Sequence, residues 1–571
     1  MSTRKIVIVG GVAGGATAAT RLRRLDETAS IILFERGPYV SFANCGLPYY
    51  IGEVIPERGD LLVQTAQGLS KRFQLDVRTL SEVISIERSE QKIVVKDLSS
   101  GETYEETYDI LILSPGAQPV VPPIPGLKEA KHVFSLRSLA DMDRIKDELD
   151  RGHPQNVLVI GGGFIGLEMA ENLQLRGTQV IVVEMLDQVM APLDYEMAAL
   201  VHQHLRKHGV RLILGDGVKA FEDQGQRVML QSGASLAADM IILAIGVRPE
   251  NALAVKAGLE IGERGGILAN ERLQTSDEHI YAIGDAIEVK DYITHLPNQV
   301  PLAWPANRQG RLVADVIAGK KATYKGTLGT AVVKVFDLTV ATTGLNEKTL
   351  RRLGWKYQVV HTHPSSHATY YPGSSTFALK LLFQPETGSI YGAQGVGKEG
   401  VDKRIDVLAT AIKGGLTVFD LPDLELAYAP PYSSAKDPVN MLGYVASNLA
   451  EGAVKTIQFD EIDQVVAAGG LLIDVRDPEE FKHGAIPGSV NIPLNELRSH
   501  IGELPTDQPI YLTCRVGQRG YIASRILEQH GYNAINLDGG YLTYKSVHKD
   551  KKALDFQVEK QSANLVHALN K

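Results

Sequence analysis

N-V-L-V-I-G-G-G-F-I-G-L-E-M-A-E-N-L, Asn156 to Leu173, is an apolar run, a glycine turn and a helical pattern in immediate succession. Strand, tight turn and helix in that order make a dinucleotide-binding fingerprint, and glycines fill all three of its positions, Gly161, Gly163 and Gly166. The first permits the turn, the second lets backbone approach a pyrophosphate, and the third lets the helix pack on the strand. The helix start at Phe164 and Ile165 then faces the phosphates. The next strand, Val180 to Val183, ends in Glu184, which can accept from a ribose hydroxyl and would repel a 2′-phosphate, so NADH is expected ahead of NADPH.

Nearer the N-terminus, Lys5 to Val9 runs into Gly10-Gly11-Val12-Ala13-Gly14-Gly15 and an alanine- and threonine-rich helix, a second fingerprint. Its following strand, Ile31 to Phe34, ends in Glu35. Val12 stands where the middle glycine belongs, so close approach to the phosphate must be managed otherwise; Gly10, Val12, Ala13, Gly15 and Glu35 are the expected nucleotide contacts. Two further stretches, Tyr108 to Pro119 and Asp239 to Glu250, each carry an apolar strand into a small-residue turn after one fingerprint, which suggests an internal duplication.

At 571 residues the chain has room for about three or four domains of roughly 100–200 residues. Apolar residues make up 44% and charged residues 22%, the profile of a globular chain. The net charge of −8 gives no reason to expect nucleic acid, and no apolar run is long enough to predict a membrane span. The N-terminal apolar run reads as a strand and not as a signal peptide. Two cysteines, Cys45 and Cys514, cannot make a disulfide framework, so a cytoplasmic location is expected.

With I-Y-A-I-G-D, Ile280 to Asp285, added to the two fingerprints, residues 1 to about 448 resemble the pyridine nucleotide-disulfide oxidoreductases. The resemblance implies FAD on the first fingerprint and NAD(P)H on the second. It places Asp285, after Gly284, on the flavin ribityl chain, Leu302 and Ala303 near the flavin ring, and the turn residues Ser114, Gly116 and Gly246 among the cofactor contacts. Most such disulfide reductases carry a C-x4-C dithiol, whereas here S-F-A-N-C-G-L-P-Y-Y, Ser41 to Tyr50, holds Cys45 alone. Its sulfur partner must come from outside. The motif is similar to that of the coenzyme A-disulfide reductases in the single-cysteine branch, which forms mixed disulfides with CoA. A position near a helix start predicts a stabilised thiolate at Cys45.

The same resemblance implies a homodimer in which each subunit lends tyrosines to the other's site; Tyr370 and Tyr428 are the choices, with Tyr371 and Tyr432 as neighbours. It places Arg21, Arg24, Ser41 and Asn44 against the nucleotide end or pantetheine of CoA, and Lys71 and Arg72 add cations for its phosphates.

Beyond Asn440 the pattern changes. L-L-I-D-V-R-D-P-E-E-F, H-G-A-I-P-G-S-V-N-I-P and P-I-Y-L-T-C-R-V-G-Q-R-G, in that order, resemble a rhodanese domain. Cys514 closes the strand Ile510 to Thr513 and opens a loop whose backbone N–H groups make an anion nest fit for a persulfide, with Arg515 and Arg519 adding charge. A C-x5-R phosphatase loop would need arginine at Gly520. H-T-H-P-S-S-H, with His361, His363 and His367, reads as a polar loop, and no metal site is expected.

The fold class expected is α/β: two Rossmann-like domains of glutathione-reductase type, an α+β dimerisation domain and a C-terminal α/β rhodanese domain. The expected divisions are FAD domain 1–120 and 248–325, NAD(H) domain 121–247, dimerisation domain 326–448, linker 449–458, rhodanese domain 459–551 and extension 552–571. The expected reaction is NADH-dependent, FAD-mediated reduction of the S–S bond in CoA persulfide, polysulfide or CoA disulfide at Cys45, with Cys514 as sulfur carrier. The alternatives are an NADH oxidase or peroxidase cycling Cys45 through sulfenic acid, and a CoA or sulfur redox sensor.

Overall fold

The protein, described here as a computed structural model over residues 4–569 with side chains to residue 554, divides into two compact units. One comprises residues up to Met185 with Gly217–Gly329; the other comprises Leu186–Asp216 with Thr330–Lys571.

In the first unit, strands Ile280–Ala282, Ile110–Leu113, Lys5–Val9, Ser30–Phe34 and Asp76–Arg78 lie side by side in one parallel sheet. A second parallel arrangement repeats its centre: Asn156–Ile160 lies between Gln179–Glu184 and Met240–Leu243, as Lys5–Val9 lies between Ser30–Phe34 and Ile110–Leu113. Each core also carries a three-stranded antiparallel sheet, so the repeat read from the sequence extends to whole layers. The glycines explain why the two turns are alike. A Cβ on Gly10 would lie 2.0 Å from the Ser114 carbonyl oxygen and one on Gly161 2.4 Å from that of Ala244. A Cβ on Gly15 would meet the Gly10 carbonyl oxygen at 1.8 Å, and one on Gly166 that of Gly161 at 2.0 Å.

Small residues set the next layer. Helix Ala13–Arg23 crosses helix Ala303–Ile317 so closely that a Cβ on Gly310 would sit 2.4 Å from the Gly14 carbonyl oxygen, and Thr17 donates to Asn307 Oδ1 at 2.7 Å.

The second unit holds an antiparallel sheet ordered Ala331–Val335, Leu338–Gly344, Ile390–Gly397, Ala378–Phe383, Gln358–Thr362. It also holds a parallel sheet ordered Lys455–Ile457, Ala534–Leu537, Ile510–Thr513, Leu471–Asp474, Val490–Asn491. Strand Lys455–Ile457 falls inside the stretch expected as a linker, yet pairs with Ala534–Leu537 as the sheet's edge. The expected C-terminal extension continues the helix Gly540–Leu569, while residues 570 and 571, like residues 1–3, lie outside the described residues. Among the described residues no helix is long and apolar enough to cross a membrane.

The histidine stretch corrects the sequence reading. It is a polar loop only in part: His361 lies buried in strand Gln358–Thr362, while His363 and His367 follow outside the strand, His367 buried as well. The His361 backbone N–H donates to the Asp538 carboxylate, its Nδ1 lies 2.6 Å from Asp538 Oδ2 and its Nε2 lies 3.0 Å from Glu196 Oε1. Sheet pairing buries the polar edge of this strand, and two distant carboxylates satisfy it.

Candidate active site

Cys45 occupies a 3-10 turn, Asn44–Gly46, that leads into the short helix Leu47–Ile51. Leu47, Pro48 and Ile51 are buried and anchor that helix, while Cys45 itself is an exposed residue on the turn before it. The helix packs on Phe164–Leu175 through Gly52, where a Cβ would lie 2.1 Å from Asn172 Oδ1. This approach brings Glu168 beside the cysteine turn, and the Tyr49 hydroxyl donates to Glu168 Oε1 at 3.3 Å.

The electrostatics differ from the sequence expectation of a stabilised thiolate. Surrounding protein displaces water from the Cys45 thiol, and with the carboxylates of Glu168 and Asp285 it holds the thiol pKa above its ordinary value. A helix of only five residues, Leu47–Ile51, offers little dipole against two carboxylates. Glu168 is itself raised to about 7, chiefly by burial and further by Glu171, against the Tyr49 hydrogen bond. Burial raises Asp285 to about 6 against the pull of Arg137. A carboxyl that titrates near neutrality beside a thiol is a proton-transfer group by environment. Replacing Glu168→Gln removes a negative neighbour, so the pH midpoint of Cys45 alkylation by iodoacetamide is expected to fall. An unchanged midpoint would separate Glu168 from the thiol.

The first fingerprint supplies a cradle that fits FAD. Glu35 accepts from the Gly11 and Gly37 backbone N–H groups at 2.9 Å each, which fixes the carboxylate at the turn. The N-terminus of helix Ala13–Arg23 has no side-chain cap at Val12, and Leu302 offers none to helix Ala303–Ile317, so both ends present backbone donors. Gly116, Gly246 and Gly284 all have positive φ, at 77°, 113° and 77°, where a side chain would strain the turn. The second fingerprint matches the first: Glu184 accepts from the Gly162 N–H at 2.7 Å, and Gly163 precedes helix Phe164–Leu175, with Phe164 and Ile165 at its start.

Arg137 is a residue the sequence reading missed. It donates to the Pro115 carbonyl at 3.1 Å; burial and Arg36 lower its pKa against the carboxylates of Glu250, Glu35 and Asp141. Glu168 was legible only as an acidic interruption in the apolar helix start F-I-G-L-E-M-A.

The expected CoA contacts are placed unevenly. Arg21 pairs with Asp315 at 2.7 Å, and Arg24 donates to the Thr20 carbonyl at 3.0 Å. Lys71 and Arg72 are exposed in the last turn of helix Ala66–Phe73. Ser41 has φ +48°, its N–H donates to the Gly11 carbonyl at 2.9 Å, and Asn44 is exposed.

In the second unit the Tyr370 and Tyr428 hydroxyls lie 2.8 Å apart, and both side chains are exposed, as are Tyr371 and Tyr432. The hydrogen bond to Tyr370 raises the Tyr428 pKa.

Cys514 is fully buried at the end of strand Ile510–Thr513, and the Gly517 N–H donates to its Sγ at 3.2 Å. Gly540 closes the back of the loop: a Cβ there would lie 2.5 Å from the Cys514 carbonyl oxygen and 2.8 Å from the Gly517 nitrogen. Arg519 makes a bidentate pair with Glu480 at 2.7 and 2.9 Å, which raises its pKa, and the charge of Cys514 adds to the rise. Arg515 is exposed, and its charge reaches His363, which burial, His361 and Arg515 push down to about 3.

The pyridine nucleotide-disulphide oxidoreductase family matches residues 4–310, its dimerisation domain residues 330–438, and the rhodanese-like domain residues 458–546. The chain belongs to the pyridine nucleotide-disulphide oxidoreductases, a family that implies FAD and NAD(P)H, and it is a flavin-dependent reductase joined to a rhodanese domain. It is 38% identical over 451 residues, 78% of this chain and 100% of the relative, to the coenzyme A disulfide reductase of Staphylococcus haemolyticus (strain JCSC1435). Among solved structures, reduced CoADR-RHD from Bacillus anthracis is 60% identical with a TM-score of 0.95, covering 96% of this chain and 98% of that one. The NAD-dependent persulfide reductase from A. fulgidus is 38% identical with a TM-score of 0.89, covering 95% and 100%.

Proposed function

We propose that the chain is an NADH-dependent reductase of sulfane sulfur bound to CoA, acting on CoA persulfide or polysulfide and secondarily on CoA disulfide. The observation that carries this reading is a lone cysteine, Cys45, on an exposed turn beside the Glu168 carboxyl, whose pKa burial raises to about 7. The names of the similar proteins, a coenzyme A disulfide reductase and a persulfide reductase, supply the substrate class.

The net reaction on a persulfide is CoA-S-SH + NADH → CoA-SH + HS⁻ + NAD⁺. FAD, when bound, supplies two-electron transfer between the nicotinamide and the Cys45 sulfur. Glu168 takes up the Cys45 proton, and the thiolate attacks the S–S bond, forming either a mixed disulfide with release of HS⁻ or a Cys45 persulfide with release of CoA-S⁻. The phenols of Tyr370 and Tyr428, contributed across a homodimer, donate to the leaving sulfur. Ser41, Asn44, Lys71 and Arg72 line the approach for CoA, while Arg21 and Arg24 hold the helix face beside it. The buried Cys514 carries sulfane sulfur as a persulfide in its backbone nest, with Arg515 and Arg519 adding positive charge. The domain divisions read from the sequence, with Lys455–Ile457 moved from the linker into the C-terminal sheet, and a cytoplasmic location belong to the same proposal.

The test is anaerobic NADH oxidation with CoA persulfide, inorganic polysulfide, CoA disulfide and peroxide side by side, each repeated with Cys514→Ser. Faster turnover on the persulfide or polysulfide is expected, and activity confined to peroxide would overturn the reading. NADPH is expected to be the poorer donor by at least about tenfold in kcat/KM, equivalent to ~1.4 kcal/mol, because Glu184 faces the position of a 2′-phosphate. Glu184→Ala should narrow that ratio; a ratio unmoved would remove Glu184 from the selection.

A further inference from the structure

We propose that the second unit contains a binding site for one divalent first-row transition ion, zinc by preference, formed by His204 Nε2, His208 Nε2 and Asp337 Oδ1. The three ligand atoms lie within 4.8 Å of one another. His204 lies in helix Tyr195–Lys207 and His208 caps it, so the two imidazoles, four residues apart, share one face. Asp337 comes from the two-residue turn between strands Ala331–Val335 and Leu338–Gly344, where Phe336 adopts φ +54°.

Asp337 Oδ1 lies 2.6 Å from His204 Nε2 and 3.9 Å from His208 Nε2. Ligand bonds of about 2.0–2.2 Å at tetrahedral angles separate ligand atoms by about 3.3 Å, so the two observed separations straddle the value a bound ion would impose.

Three further observations make this more than a histidine–aspartate contact. First, the His204 side chain is nine-tenths buried, and its Nε2 has no hydrogen-bond partner although the Asp337 oxygen is so close. The oxygen therefore lies off the ring N–H direction, so the short separation is not that of an ordinary hydrogen bond. Second, the His208 Nδ1–H donates to the His204 carbonyl at 3.0 Å, which fixes the tautomer and leaves the Nε2 lone pair free for a ligand. Third, the surroundings are braced. The Phe336 ring stacks on His208 at 4.3 Å and 8°, and Lys398 Nζ holds the other Asp337 oxygen at 2.5 Å.

Two imidazoles and one carboxylate suit zinc, nickel or copper over calcium or magnesium, with water as the fourth ligand. The ion would tie a helix of the nucleotide-binding part of the chain to a hairpin of the dimerisation sheet, a structural clamp remote in sequence from either cysteine.

The experiment uses the full-length, flavin-loaded protein after chelator treatment. Zn²⁺ binding is followed by equilibrium dialysis with metal analysis. Co²⁺ serves as a spectroscopic probe, because cysteine ligation gives sulfur charge-transfer bands that imidazole and carboxylate do not. Wild type is expected to take up one equivalent free of sulfur bands, and His208→Gln and Asp337→Asn to bind that equivalent at least about 100-fold more weakly, with unaltered NADH oxidation. Uptake identical in wild type and both variants, or Co²⁺ spectra dominated by sulfur bands, would overturn the assignment. So would a wild type that retains no equivalent after dialysis. These readouts do not depend on the sulfur substrate, so the site stands or falls apart from the reductase reading.

Discussion

Cys45→Ser is expected to lower NADH-dependent turnover of CoA persulfide and CoA disulfide by at least about 10³-fold, more than ~4 kcal/mol in transition-state stabilisation, with flavin content and melting temperature unchanged. The substitution is nearly isosteric, and the side chain is exposed on a turn whose anchors are Leu47, Pro48 and Ile51, so packing gives no reason for a loss of stability. The chemistry gives every reason for a loss of rate. A serine oxygen cannot attack sulfur to form an S–S linkage that is later reduced, and no second cysteine lies nearby in sequence to substitute, since the other of the two is Cys514. Turnover by Cys45→Ser within tenfold of wild type would mean that the S–S bond is cleaved without the thiol. Loss of sulfurtransferase activity alone would move the chemistry to Cys514.

Much of this was legible because it rests on residue types with few substitutes. Gly10, Gly15, Gly161 and Gly166 sit where a Cβ would strike a carbonyl oxygen, so glycine spacing in the sequence reported backbone contacts directly. Glu35 and Glu184 were found by their place at strand ends, and each binds the backbone of its own turn. Tyr370 and Tyr428 were chosen by resemblance, and their hydroxyls meet at 2.8 Å. What escaped was set by long-range packing. An acidic residue on a helix is ordinary until Gly52 lets a neighbouring helix bring Cys45 beside Glu168. Arg21 looked free until helix Ala303–Ile317 supplied Asp315. His361 looked like part of a loop because the strand that pairs with its own, Ala378–Phe383, and the carboxylates of Glu196 and Asp538 come from elsewhere in the chain.

Lys380→Met is expected to destabilise the second unit by roughly 3–5 kcal/mol, the cost of leaving buried charge without its partner. Lys380 is fully buried and binds Asp194 at 2.9 Å, with Glu196 and Glu347 also in contact. Burial alone would depress its pKa, but Glu196, Asp194 and Glu347 hold it well above the usual lysine range. Glu196, which burial would raise, is held far below the carboxylate range by Lys380 and His361, and Glu347 is lowered against burial by Lys380. Groups with depressed pKa values contribute stability above their unfolded value near 4.5 and lose it as pH falls. Without the lysine these carboxylates favour protonation, so the deficit of the variant is largest at neutral pH and shrinks towards pH 4–5. His361 has the opposite sign. Burial would lower it, yet Asp538 and Glu196 raise it to about 9 from 6.5, so its contribution is complete below pH 6.5 and is lost as pH rises through about 9. Because Asp538 directly precedes Gly539 and the Gly540 that backs the Cys514 loop, this charge chain ties the sulfur-carrying domain to the dimerisation sheet. Thermal unfolding against pH checks both halves. Lys380→Met should melt on the order of 10 °C lower at pH 7, and His361→Gln should flatten the decline between pH 6.5 and about 9. A Lys380→Met melting temperature within about 2 °C of wild type would mean that the three carboxylates find other partners, and that the chain does not carry the attachment.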